Sequence, residues 1–182
     1  RVKQGNADLI FIGDSITQGW EGNGKAVWEE FYGKRNAVNL GIGGDRTQHV
    51  LWRLDNGEIE GISPKAAVVM IGTNNLGANT NEEIVAGITA IVKKLNDKLP
   101  KTKVLLLGIF PRSEKADHPL RARIKAINAE ISKLENDKTV FYTNFGNRFL
   151  AEDGSLPKAV MPDFLHLSSD AYRTWADAIE GD

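Results

Sequence analysis

The chain has 182 residues, 41% of them hydrophobic and 26% charged, with 23 Lys and Arg against 24 Asp and Glu for a formal net charge of -1. That length suits one domain spanning residues 1–182 with one sizeable core, and the near-balanced charge offers no field for recruiting polyanions, so nucleic acid is not an expected partner. Cysteine is absent, which excludes disulfides, thiolate metal sites and a cysteine nucleophile, leaving serine as the strong nucleophile candidate.

The first apolar run, Asp8 to Gly13 (DLIFIG), predicts a strand, and Gly13-Asp14-Ser15 follows it directly. A short helical segment is expected near Ala26 to Tyr32. The second run, Ala37 to Ile42 (AVNLGI), leads into Gly43-Gly44-Asp45 and a short helix over Thr47 to Leu54. The third, Ala66 to Gly72 (AAVVMIG), leads into Gly72-Thr73-Asn74-Asn75. Asn81 to Leu99 then places Ile84, Ile88, Ile91, Val92 and Leu95 on one helical stripe, and Thr80 with Glu83 forms a capping box that starts it. A fourth strand is predicted over Lys103 to Phe110, a helix from Pro119 to Glu135, a fifth strand over Thr139 to Phe145 and a last helix from Ser168 to Glu180.

The apolar runs are continuous rather than alternating, the pattern of strands covered on both faces. Strand and helix alternate, so the chain predicts a three-layer α/β domain with a mostly parallel five-stranded sheet. Gly146 to Leu165 lacks periodicity and reads as a long, functional loop. No run of about 18 apolar residues exists to span a bilayer. Residue 1 is Arg rather than Met, so a removed leader fits the sequence, and the compartment is left open between cytoplasm and export.

A parallel sheet would bring the first three motif segments to its carboxyl edge, where open α/β folds bind ligands. Ser15 is placed there as a nucleophile. A serine hydroxyl needs a base within hydrogen-bond reach. Of the three histidines, His49 and His118 read as surface or capping residues. His166 stands out because Asp163 lies three residues earlier, a spacing that one helical turn would bring to the same side, so that the carboxylate could hold Nδ1–H while Nε2 faces Ser15. Gly44 and Asn74 are expected to donate to the oxyanion formed on attack, the first through a free N–H and the second through its amide.

A phosphate- or flavin-binding loop at Gly13 to Thr17 is the reading from a different class. The segment lacks the spacings of a nucleotide loop, and the His and acidic residues show no metal-ligand spacing, so no cofactor and no metal are expected. The four tryptophans read mostly as packing residues, with Trp20 and Trp52 the ones placed to line a pocket. Arg46, Arg53 and Arg112 read as surface or salt-bridged, with Arg112 nearest the catalytic edge.

These blocks resemble, in order and across nearly the whole chain, the SGNH hydrolases, also called the GDSL esterases. Within that family Gly41 to Leu54 (GIGGDRTQHVLWRL) and Asp163 to Ser168 (DFLHLS) are similar to the platelet-activating-factor acetylhydrolase branch and its bacterial relatives. The resemblance implies a flavodoxin-like sheet ordered 2-1-3-4-5, a cofactor-independent esterase with catalytic Ser15, Asp163 and His166, and an oxyanion hole made by Ser15, Gly44 and Asn74. It also implies a small acyl pocket and a homodimer. Substrate contacts are expected from Asp14, Trp20, Asn75 and Arg112. The implied substrate is a short-chain, acetyl ester, either an O-acetylated carbohydrate or a phospholipid-type ester.

Overall fold

The computed structural model describes residues 2–180. Five strands, β1 (Leu9–Gly13), β2 (Ala37–Gly41), β3 (Ala66–Met70), β4 (Lys103–Leu107) and β5 (Val140–Thr143), form one sheet in the order β2-β1-β3-β4-β5. All four neighbouring pairs run parallel, with Gly13 in register with Gly41 on one side and Met70 on the other. The carboxyl ends of β1, β2 and β3 therefore open at one edge.

Five α-helices link the strands, α1 (Ser15–Gln18), α2 (Lys25–Phe31), α3 (Thr47–Asp55), α4 (Asn81–Lys98) and α5 (Pro119–Ile131), and α6 (Ser169–Glu180) follows β5. The central strands β1, β3 and β4 are largely apolar on both faces because both faces are covered. Ile10, Ile12, Ala67, Val69, Val104 and Leu106 join a cluster with residues of α3, α4 and α5. Leu9, Phe11, Val68, Met70 and Leu107 join a second, aromatic cluster with residues of α2 and α6. Alternate residues thus serve opposite layers, as the two-residue period of a strand demands.

The α4 start follows the sequence closely: Glu83 N–H donates to Thr80 Oγ1 at 3.2 Å and Thr80 N–H to Glu83 Oε2 at 3.0 Å. The strands are shorter than their apolar runs. β3 stops at Met70 and β4 at Leu107, while Ile71, Ile109 and Phe110 beyond them are still buried. A buried segment leaving a sheet needs the same apolar side chains as the strand before it. Likewise α5 gives way to a 3₁₀ turn over Ser132–Leu134. The segment after β5 begins with a 3₁₀ turn, Gly146–Phe149, and is anchored by the buried side chains of Phe149, Leu156 and Met161. Among the described residues no helix is long and apolar enough to cross a membrane.

Candidate active site

Ser15 is the first residue of α1, immediately beyond β1. Asp14 caps this short helix, its Oδ1 accepting the Ile16 N–H at 2.9 Å. The tight fold-back of α1 over β1 depends on Gly13. A Cβ there would lie 2.1 Å from Thr17 Oγ1 and 2.5 Å from the Met70 carbonyl, so any side chain would force the Ser15 helix away. Within the same aromatic cluster, Tyr172 of α6 donates its hydroxyl to the Ile16 carbonyl at 2.6 Å.

His166 Nε2 stands 2.9 Å from Ser15 Oγ, and its Nδ1 stands 2.6 Å from Asp163 Oδ2. An ionised carboxylate only accepts, so Nδ1 carries the hydrogen and Nε2 is left as acceptor toward the serine hydroxyl. The local geometry differs from the helical turn expected from the Asp-x-x-His spacing. Residues 162–166 form a non-helical turn in which Asp163 Oδ1 accepts the N–H groups of Leu165 (3.1 Å) and His166 (2.7 Å). Phe164, between them, has φ of 58°, the left-handed region that non-glycine residues rarely enter. The turn is an Asx-type brace, and one carboxylate both closes it and holds the imidazole. Partial burial would raise the Asp163 pKa, but the three hydrogen bonds from His166 and Leu165 outweigh it and hold the carboxyl below its ordinary value. Ser113 N–H donates to the Phe164 carbonyl at 2.9 Å and pins the turn to the segment after β4.

The segments after β1, β2 and β3 bring three candidate donors to the same edge of the sheet. The backbone N–H groups of Ser15 and Gly44 make no hydrogen bond among the described residues. Gly44 is exposed with φ of 81°, and the space around its Cβ position is empty to 4 Å. A Cβ on neighbouring Gly43 would come within 3.8 Å of Ser15 Cβ, which places this turn directly beside Ser15. Asn74 Nδ2 donates to the Asp45 carbonyl at 2.9 Å. A primary amide has two N–H bonds, so one is fixed in direction by Asp45 and the other has no partner among the described residues. The arrangement can deprotonate a hydroxyl and offer neutral donors to a developing oxyanion.

Several expected substrate contacts lie elsewhere. Trp20 is 1% exposed, its indole packed among Phe11, Trp28, Tyr32, Tyr172 and Trp175, so it belongs to the aromatic core, and the cavity it lines with Lys25, Trp28 and Asn39 includes none of Ser15, Asp163 or His166. Asn75 is also 1% exposed: its Oδ1 accepts the Thr47 N–H at 3.0 Å and its Nδ2 reaches Thr47, Gln48 and Asn79, joining α3 to the segment after β3. Asp14 is buried as a helix cap rather than facing a substrate. Arg112 is half-buried and donates to the Thr73 carbonyl and hydroxyl, one residue from Asn74. Trp52 is 66% exposed on α3. His49 and His118 are capping residues, accepting the N–H groups of Arg46 and Leu120.

Two contributors went unread in the sequence. Gln18 Oε1 accepts the Gly43 N–H at 2.9 Å, and Asn39 both accepts the Gly41 N–H and donates to the Thr17 carbonyl, so α1 and the Gly43-Gly44 turn are fastened together. A polar residue inside the apolar run of β2 was the available sign for Asn39. A cavity of about 850 Å³ opens nearby between α5 and the segments after β4 and β5, but none of Ser15, Asp163 or His166 lines it. Among the described residues no group of three or more His, Asp or Glu side chains could hold a metal ion.

A sequence model of the GDSL-like Lipase/Acylhydrolase family matches residues 11–174. Platelet-activating factor acetylhydrolase IB subunit alpha2 of Gallus gallus is 43% identical over 174 residues, covering 93% of this chain and 73% of the relative. Among solved structures, an acetyl xylan esterase superposes with a TM-score of 0.77 at 23% identity, covering 95% of this chain and 98% of that one. A GDSL-like lipase from Bacteroides thetaiotaomicron gives 0.77 at 22% identity, with 100% and 89% covered. At such identities the two superpositions establish the fold alone.

Proposed function

Because this chain belongs to the GDSL-like lipase/acylhydrolase family, and is therefore a carboxylic ester hydrolase, we propose that it cleaves acetyl and other short-chain esters through a Ser15–His166–Asp163 acyl-enzyme mechanism. The observation that carries this reading is the unbroken run of contacts from Ser15 Oγ to His166 Nε2 (2.9 Å) and from His166 Nδ1 to Asp163 Oδ2 (2.6 Å).

In this mechanism Ser15 Oγ attacks the ester carbonyl while His166 Nε2 takes its proton, and the imidazolium is stabilised by the Asp163 carboxylate. The carbonyl oxygen becomes an oxyanion held by the Ser15 and Gly44 N–H groups and the second N–H of Asn74. Collapse breaks the bond to the leaving alcohol, which receives the proton from His166. Water, deprotonated by His166 in turn, then hydrolyses the acyl-serine through the same donors. Replacing Ser15 with Ala should abolish p-nitrophenyl acetate turnover while the thermal transition stays in place. Full turnover by that variant would overturn the assignment.

For the alcohol side, the reading we put first is an O-acetylated carbohydrate, for which the half-exposed Ser15 and the 42% exposed His166 side chain leave room. The name of the 43% identical relative favours a second, an acetyl ester of platelet-activating-factor type. Acetate release from acetylated sugars, acetylated xylan and an acetylated ether phospholipid separates them, the preferred substrate being the one with the higher kcat/KM. Sedimentation of the purified chain tests the homodimer that accompanies this reading.

A further inference from the structure

We propose that Arg53, on α3, is a positioning residue for the oxyanion site, acting through Asp45 to aim the amide of Asn74. The inference rests on the esterase reading above and assigns a role outside the triad and its donors.

Each of the three nitrogens of the Arg53 guanidinium is engaged. Nε donates to Asp45 Oδ2 at 2.9 Å, Nη1 bonds Glu58 Oε2, and Nη2 reaches the Gly13 carbonyl at 3.4 Å, two residues before the nucleophile. The side chains of Arg53, Asp45 and Glu58 are only 10%, 12% and 13% exposed. Asp45 is the relay. Its N–H donates to the Ile42 carbonyl at 3.2 Å, closing the turn that carries Gly43 and Gly44, and its carbonyl is the acceptor that orients Asn74 Nδ2. Rotating the peptide after Asp45 would swing that amide, and the carboxylate gripped by Arg53 opposes the rotation from one side while the Arg46 N–H, donated to His49 Nδ1 at 2.9 Å, opposes it from the other.

A buried cluster of one cation and two carboxylates is a weak source of net stability, because desolvation offsets the attraction. What a guanidinium supplies instead is a rigid planar fork with bond directions fixed to several partners at once, which a lysine ammonium cannot reproduce. Here those partners are the chain just before Ser15, the turn bearing Gly44 and the residue that directs Asn74. The cluster is therefore best explained as a geometric clamp on the donors.

The test compares R53K, N74A and the R53K/N74A double variant with wild type and S15A, on p-nitrophenyl acetate. R53K keeps the charge and loses the fork, so kcat should fall roughly ten- to a hundredfold, the penalty of a small misplacement at a reacting centre, with KM within about threefold. In the N74A background the same substitution should cost less than about threefold, because the amide it aims is gone. A merely structural role would reduce both backgrounds by one factor, and that multiplicative result, or an unchanged kcat in R53K, overturns the proposal. Should R53K fail to fold, D45N takes its place with the same expected coupling to N74A. Turnover by S15A would sink the esterase reading itself, whereas an inactive S15A beside a fully active R53K would sink this inference alone.

Discussion

The hydroxyl of Tyr172 donates to the carbonyl of Ile16 at 2.6 Å and so ties the last helix to the helix that begins with Ser15. Tyr172 is 2% exposed, and burial pushes its phenol pKa up, keeping it a donor throughout the working range. Tyr172→Phe preserves the ring packing and removes one buried hydrogen bond, leaving a carbonyl less well satisfied. The expected loss is about 1–2 kcal/mol in urea unfolding, with a smaller effect on kcat, measured on the same preparation.

Asn74→Ala removes a donor needed when the oxyanion is present and not before. We expect kcat to fall about a hundred- to a thousandfold with KM nearly constant. Loss confined to KM would mean that Asn74 binds the substrate's ground state. Steady-state kinetics on a nitrophenyl ester separates the two outcomes.

Asp163→Asn keeps an oxygen to accept the N–H groups of Leu165 and His166 but offers the imidazole an amide. The expected loss in kcat is about a hundred- to ten-thousandfold, as for a histidine left in the wrong tautomer, with little change in the melting temperature. The pH dependence follows from the depressed pKa. Desolvation opposes the depression and the three hydrogen bonds outweigh it, so the ionised carboxylate steadies the turn above the ordinary value of 3.8, and this contribution is lost as pH falls through the lower folded value. Intensity of the His166 backbone amide signal across pH 3–7 would report that loss.

Asp14 behaves in the opposite sense. Burial is the largest influence on it, partly countered by the Ile16 N–H and by His166, and its pKa is pushed up from 3.8 to about 6. A raised carboxyl pKa favours the protonated fold, so the stabilisation is complete below 3.8 and lost as pH rises through about 6. Above that, the buried carboxylate costs on the order of 3 kcal/mol. Asp14→Asn can still cap Ile16 through its carbonyl oxygen, so the variant should match wild type at pH 4 and be the more stable of the two at pH 8. Thermal melts at both pH values check this, and a variant less stable at pH 8 would contradict it.

The architecture was legible because each of the first three motif segments follows an apolar run that must be a buried strand, which fixes where Ser15, Gly44 and Asn74 emerge. The ends of the strands were not, since Ile109 and Phe110 are as buried outside the ladder as Leu106 is within it. Trp20 was misread because closeness in sequence to Ser15 says nothing about which side of a short helix a ring takes, and here that side faces the aromatic core. Nor could spacing reveal the turn at Asp163. A three-residue interval fits a helix or an Asx brace equally, and the choice rests on the positive φ of Phe164. Arg53 was read only as surface or salt-bridged, and the folded chain alone brings its partners, Asp45, Glu58 and the Gly13 carbonyl, to one guanidinium.

His166 and Asp163 ride on a self-closing turn outside helix and strand, whereas Ser15 opens α1 directly off β1 in the sheet. Turnover and global integrity consequently draw on unequal reservoirs of rigidity. In rising urea the esterase should fall silent while the strands are still assembled, so thermostabilising the sheet would not by itself lengthen the enzyme's working life.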